Sequence, residues 1–300
     1  VSARKTLAVV VPCRDEQDNV APFYAEAKAA LEGLPLDWSL VFVDDASADA
    51  TYERILALRA QDPRVKIAAL TRGFGYHAAL VAGLSSVDAD LYAIVDVDGE
   101  DPPELLAKFH AAIEGGARTV YGIRDRRPEP EWLIFLRWLF YAINQRIADG
   151  PTRLWMAEFS MFTREVRDFI LSSRTTFPFL RSELAYAGLR LEGVPYVRRA
   201  RRRGRSHYNV LSMAKFAVAG FLASSTFPLR FVAYAAAAFA ALFLWLRLGL
   251  TLVETGALAA VFGFAYLLLA LPLIALYLAR TYKNATGRPV FMLDRERSRL

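Results

Sequence analysis

The strongest constraint on how this chain folds is a pair of apolar stretches in its last quarter. Residues 231–246 and 257–279 contain no charged side chain. A helix that crosses a bilayer needs roughly 20 apolar residues, because the hydrocarbon core is about 30 Å thick and a helix rises about 1.5 Å per residue. The second stretch meets that requirement alone, with Pro272 inside it as an expected kink. The first is short, and becomes sufficient if the span continues to about Leu252 while Arg247 snorkels to the interface. A pair of buried core helices is the competing reading. Mean hydropathy of +0.23 and 55% hydrophobic residues exclude a disordered or collagen-like chain. Residues 1–210 read as ordinary globular sequence, so the apolar excess belongs to the segment after Phe227.

Charge orients the pair. The net charge is +6, and Arg198, Arg199, Arg201, Arg202, Arg203 and Arg205 crowd one run upstream of the apolar stretches. Arg280, Lys283, Arg288, Arg295, Arg297 and Arg299 follow them, whereas Arg247 and Glu254 are the only charges between. The positive-inside rule then puts both flanks on the cytoplasmic side. Beside a membrane segment the arginine run fits lipid headgroups or a ligand phosphate better than DNA, and no nucleic-acid motif accompanies it. A single cysteine, Cys13, excludes an internal disulfide framework and fits a reducing compartment. Val1 opens no signal-peptide pattern, so none is expected.

The soluble part alternates strand and helix patterns. Residues 6–12 (TLAVVVP) and 40–44 (LVFVD) are short β-branched runs of the kind buried on both faces, and 66–70, 91–95 and 119–121 resemble them. Helical spacing over 20–34, 50–60, 77–84 and 102–114 separates the strands. This alternation predicts a doubly wound α/β sheet, whose ligands bind beyond the carboxyl ends of its strands. The polar clusters follow strands accordingly: Arg14 to Glu16, Asp44-Asp45, and Asp96-Val97-Asp98.

Residues two apart in an extended segment point the same way, so Asp96 and Asp98 are able to meet one cation. Adjacent carboxylates repel unless a metal neutralises them, and Mg²⁺ or Mn²⁺ prefers such oxygen ligands, with ligand phosphates completing the shell. Glu100 offers a third oxygen. A D-x-D alone also reads as a solvated turn. Asp44-Asp45 either accepts hydrogen bonds from a base or ribose or caps the helix beginning near Ala50, a role open to Ser47 or Asp49. His77 and His110 read as packing or helix-surface residues.

Six motifs in register resemble glycosyltransferase family 2: VVVPCRDEQDNV, VFVDDASAD, LTRGFGYHAALVAGL, VDVDGEDPPE, VYGIRDRR and VPYVRRARRRGRSHY. The resemblance covers roughly residues 6–226 and is closest to the polyprenyl-phosphate glycosyltransferases, which include dolichyl-phosphate mannose synthases and bacterial undecaprenyl-phosphate glucosyltransferases. It implies a GT-A (Rossmann-like) α/β catalytic domain over 1–208, a nucleotide-sugar donor and a polyprenyl-phosphate acceptor. Carried over by position, Pro12, Arg14, Glu16, Val43 and Asp45 correspond to the nucleoside pocket, with Arg14 replacing a usual aromatic. Asp96 and Asp98 correspond to the metal and diphosphate site, with Glu100 where Gln is common. Arg124 and Arg201 match arginines near the donor phosphates, and His207 stands where the family usually has Lys. Relatives commonly read Gly-Asp-Phe-Arg-Leu where this chain has Ala157-Glu158-Phe159-Ser160-Met161. Glu158 keeps the carboxylate of the family's base, but Ser160 lacks the cation that holds the acceptor phosphate. Arg137, Arg153, Arg164 and Arg205 are candidates to replace it.

The resulting expectation is a catalytic domain, an amphipathic interfacial helix over 209–226, a two-helix transmembrane hairpin over 227–282 and a cytoplasmic tail over 283–300. The aromatic-rich stretch 132–144 reads equally as a buried helix or as an interfacial one guiding lipid to the site. Leu136-Arg137-Trp138 lacks the upstream Gln of processive polysaccharide synthases, which favours transfer of one sugar. The expected reaction is inverting and metal-dependent, with Mg²⁺ or Mn²⁺, at the cytoplasmic face of a bacterial inner membrane. UDP-glucose is the favoured donor, and modified UDP-sugars and GDP-mannose are alternatives. A non-catalytic lipid-binding scaffold, and an anchored enzyme with a soluble acceptor, are the rival functions. Tetramers occur among relatives, so a homo-oligomer is also open.

Overall fold

The computed structural model describes residues 4–124, 146, 156–173, 175, 179–199 and 225–300. Strands β1 (Thr6–Cys13), β2 (Asp37–Asp44), β3 (Val65–Ala69), β4 (Leu91–Ile94), β5 (Thr119–Arg124), β6 (Met156–Thr163) and β7 (Leu191–Tyr196) form one sheet in the order β3-β2-β1-β4-β6-β5-β7. Helices α1 (Gln17–Glu32), α2 (Thr51–Gln61), α3 (Tyr76–Ser86), α4 (Leu106–Glu114), α5 (Arg164–Ser172) and α6 (Leu180–Tyr186) accompany it. The first four strands are parallel, as the alternating pattern predicts. β6 runs antiparallel to both β4 and β5. The sequence pattern singled out neither β6 nor β7 as a strand.

Alternation along each strand divides the core in two. Leu7, Val9, Val11, Leu40 and Phe42 face the α1 side with Phe23, Leu31 and Phe109. Ala8, Val10, Val41, Val43 and Ile94 face the α3 side with Leu80, Leu84, Val166 and Leu184. Burial on both faces explains why these strands read as unbroken apolar runs. α3 can lie directly on the sheet because Gly83 is there. A Cβ on Gly83 would stand 2.4 Å from Val10 Cγ1 and 2.8 Å from Val43 Cγ2.

Two helices follow, α7 (Phe227–Leu246) and α8 (Leu252–Ala285), both long and apolar enough to cross a membrane. α7 gains its length at its beginning, from Phe227, and stops at Leu246 with Arg247 as its cap. The expected continuation to Leu252 is therefore replaced by a turn. Its 20 residues span about 30 Å, enough for a hydrocarbon core. α8 continues through Pro272. It starts in a capping box, in which Thr251 accepts from the Glu254 N–H and Glu254 accepts from the Thr251 N–H. The helices touch through Phe239, Phe262 and Tyr266, whose hydroxyl donates to the Val232 carbonyl at 3.0 Å. The rest of their surface carries large apolar groups in the open: Leu244 is 69% exposed and Phe264 65%. Among the described residues no side chain covers these faces, which fits lipid contact.

Replacing Gly83 by alanine is expected to cost about 1–3 kcal/mol through overpacking of α3 against β1 and β2. Chemical denaturation of the G83A variant checks this, with the loss exceeding that of an exposed Gly→Ala change such as Gly33.

Candidate active site

One edge of the sheet collects the polar residues. β1, β2, β4, β5 and β7 all end there, and the antiparallel β6 begins there. The β4–β6 register pairs Ile94 with Ser160, so its continuation sets Glu158 opposite Asp96. Carboxylates far apart in sequence thereby become neighbours.

The loops after β1 and β2 are stitched together. Asp15 and Ala46 adopt left-handed φ values of 54° and 55° without being glycine, a strained conformation that clusters at functional sites. Asp15 accepts from the Ala48 N–H at 2.7 Å and donates its own N–H to Ser47 Oγ at 3.0 Å. The N-cap of α2 is Ala50, with no side-chain cap, and Asp49 just before it accepts from the Thr51 N–H at 3.0 Å. The buried Asp45 instead accepts from the N–H groups of Phe74 and Gly75, at 2.6 and 2.9 Å, so it holds the loop that opens α3. Arg14 pairs with it at 3.4 Å and lies over Gly73, where a Cβ would meet Arg14 Nη1 at 2.4 Å. Glu16 donates its N–H to Thr51 Oγ1 at 2.8 Å, and its carbonyl accepts from Asn19 as α1 begins. Pro12 is buried in register with Val43. The Val43 side chain is wholly buried beneath α3, so core packing and not ligand contact accounts for it.

Asp96 accepts from the Tyr76 hydroxyl at 2.8 Å. Burial, then the carboxylates of Asp101 and Asp98, push its pKa up to about 7. The same crowding, after burial, raises the Tyr76 phenol through Asp96 and Glu158. Asp98 accepts from the Glu100 N–H at 3.1 Å. Glu100, expected as a third metal oxygen, is ion-paired with Arg198, which also lies 3.9 Å from Asp101. Among the described residues no group of three His, Cys, Asp or Glu side chains converges as a metal cage. The Asp96–Asp98 pair still suits a hard cation whose remaining ligands come from phosphate. It is rich in oxygen and crowded with negative charge, and a divalent ion would relieve that charge.

Arg124 ends β5 with its Nη2 3.7 Å from Asp101, and its Nε donates to Tyr196 Oη at 3.2 Å. Burial works against its charge, but Asp101 and Tyr196 more than offset that and hold its pKa above the ordinary value. Glu158 is buried and accepts from Arg181 Nε at 2.8 Å. His77 packs beside this pair, 5.1 Å from the Phe179 ring. Burial lowers its pKa against an opposing pull from Glu158, and Arg181 lowers it further, so the ring is neutral at pH 7. Sequence reasoning passed over Arg181. Its signal was indirect: Ser160 stands where relatives commonly have arginine, beside the carboxylate that Arg181 meets.

Arg164 does not belong to the site. It pairs with Asp88 at 2.8 Å and Asp90 at 3.6 Å, which precede β4 and so sit at the opposite end of the sheet. Arg137, Arg153, Arg201, Arg205 and His207 lie outside the described residues, as do 132–144 and nearly all of 209–226.

A mixed α/β sheet with its acidic residues gathered at one edge has the form of a GT-A glycosyltransferase domain, and the two apolar helices that follow suggest membrane association. Residues 8–173 match Glycosyl transferase family 2, and the chain belongs to that family. It is 30% identical over 236 residues to the bactoprenol glucosyl transferase of Shigella phage SfX, covering 76% of this chain and 75% of the relative. An uncharacterized glycosyltransferase of Bacillus subtilis is 27% identical over 300 residues, covering 96% of this chain and 93% of the relative. The fold is shared with glucosyl-3-phosphoglycerate synthase from Mycobacterium tuberculosis, solved with Mn²⁺, UDP-glucose and phosphoglyceric acid. That match has a TM-score of 0.54 and 17% identity, over 73% of this chain and 79% of the other.

Replacing Arg181 by methionine is expected to cost about 1–3 kcal/mol, because the buried Glu158 loses its charged partner. Adding Glu158→Gln should recover much of that loss. A double-mutant cycle on denaturation midpoints reads the coupling.

Proposed function

We propose that this protein transfers one sugar from a nucleotide-sugar donor, with UDP-glucose favoured, to a polyprenyl phosphate at the cytoplasmic face of a bacterial plasma membrane. The observation that carries the reading is the adjacency of Asp96 and the Glu158–Arg181 pair at one sheet edge, in a chain that continues into two lipid-suited helices. The bactoprenol glucosyl transferase relatives support a lipid carrier as acceptor. The basic residues flanking the hairpin support the orientation, with the catalytic domain and both flanks inside.

The donor nucleoside occupies the edge beside Arg14, Glu16 and Asp45, and its diphosphate lies toward Asp96, Asp98 and Arg124. Arg201 and His207 are carried to that diphosphate by the resemblance alone, and Arg137, Arg153 and Arg205 remain proposed contacts of the acceptor phosphate. Asp96 and Asp98 would hold Mg²⁺ or Mn²⁺, which supplies Lewis-acid stabilisation of the departing diphosphate. Arg124 is held charged, and it balances negative charge accumulating on the leaving group. Arg181 supplies the cation that Ser160 lacks and draws the acceptor phosphate toward the sugar. A phosphate monoester is already largely anionic at neutral pH, its second pKa being about 6, so it attacks without a strong base. Its oxygen forms the new bond to the anomeric carbon as the bond to the nucleoside diphosphate breaks, which inverts the configuration. Glu158 holds Arg181 in place and accepts any proton remaining on the acceptor.

The test is transfer by the purified protein with Mn²⁺ or Mg²⁺, labelled UDP- and GDP-sugars, and undecaprenyl phosphate. Label is expected in the lipid fraction with inverted configuration, and Asp98→Ala should lower the rate by about 100-fold or more. Lipid binding with no transfer from any donor would point to a scaffold. Transfer to a non-lipid acceptor alone would make the helices a mere anchor.

A further inference from the structure

The segment that follows α8 returns to the catalytic sheet. β3 is the edge strand, and residues 292–299 lie along it, with antiparallel bridges from Leu293 to Leu70 and from Arg299 to Ile67. Ile67 and Arg299 exchange both backbone hydrogen bonds, at 2.7 and 2.8 Å. The Asp294 N–H donates to the Ala69 carbonyl at 2.8 Å, and the Ala69 N–H donates to Ser298 Oγ at 3.1 Å. Phe291 and Leu293 pack on the core of the α3 side. Between the bridges the chain turns, with Asp294 Oδ1 accepting from the N–H groups of Glu296 and Arg297.

That turn delivers Arg297 to the end of β2. Its guanidinium lies 4.1 Å from the Tyr52 ring centroid, and the Tyr52 hydroxyl donates to its carbonyl at 2.8 Å. Its Nη2 is 3.8 Å from Asp44 Oδ2. Asp44 is 0% exposed, and its other oxygen accepts from the Ser47 N–H at 3.1 Å. Oδ2 has no hydrogen-bond partner among the described residues, and Arg297 is the cation paired with it there. A buried carboxylate without a cation is costly and repels an arriving anion. Asp44 also anchors the loop carrying Ser47, and the next residue is Asp45, which holds the opening of α3.

We propose that the post-hairpin segment is a wall of the donor site, with Arg297 a positioning residue that acts through Asp44. The inference rests on the reading of this sheet edge as the nucleotide pocket. Arg297 neutralises Asp44 and keeps the Asp44–Ser47 turn in the form that receives the nucleoside diphosphate. The exit helix of the hairpin is thereby tied by a short link to the donor pocket.

The experiment is calorimetric binding of UDP, with Mn²⁺, to the full chain in detergent, beside transfer kinetics for the wild type, Arg297→Gln and Arg297→Lys. R297Q is expected to weaken UDP binding and raise the donor KM about tenfold, with kcat within about twofold. R297K keeps the charge and should recover most of the affinity. UDP binding and donor KM unchanged in R297Q would overturn the proposal while leaving the donor reading intact. So would a lower melting temperature and kcat with donor KM unmoved, which marks a structural role alone. A wild type that binds neither UDP nor GDP would overturn the donor reading itself, and this proposal with it.

Discussion

The structure turns on the problem of holding many carboxylates at one edge of a sheet that is dry on both faces. Most have a fixed partner. Asp44 faces Arg297, Asp45 takes two backbone N–H groups and Arg14, Asp101 has Arg124 and Tyr196, Glu100 has Arg198, and Glu158 has Arg181. Asp96 is different: a phenol donates to it while burial, and then neighbouring carboxylates, raise its pKa. An oxygen-rich point crowded with negative charge is suited to a divalent cation and phosphates. The partners also come from nearly every part of the chain, which makes the edge a product of the whole fold.

The antiparallel strand β6 is the decisive element of that arrangement. Had the sheet remained parallel, residues at the start of β6 would lie at the far edge, away from Asp96. Reversal brings Glu158 beside it and places Arg181, carried by α6, against the same carboxylate. Ser160 stands on the strand beside Glu158, and the cation found against that carboxylate comes from the helix packed on it. Pairing at 2.8 Å with a buried glutamate also restricts the arginine to one position.

The apolar helices add a spatial constraint. On return from α8 the chain pairs along β3 of the catalytic sheet. That pairing ties the end of the helical pair to the domain by a short link.

Much was legible in the sequence because it depends on local chemistry. Unbroken β-branched runs pointed to strands buried on both faces, two long uncharged stretches pointed to helices suited to a membrane, and polar clusters after strands pointed to the ligand edge. Asp45, Asp96, Asp98, Arg124 and Glu158 were visible on those grounds or by resemblance, and they do meet at that edge. Pairings between distant segments were not legible. Glu100 and Arg164 carried the right chemistry at plausible spacings, yet Arg198 claims the first, and the second lies beyond the wrong end of β4. Arg181 and Arg297 look like ordinary surface arginines until β6 reverses and the chain returns along β3. Sequence determined which segments must be dry and which residues could carry charge. Tertiary structure decided which charges face one another, because strand direction and edge pairing are set by long-range packing that no local pattern encodes.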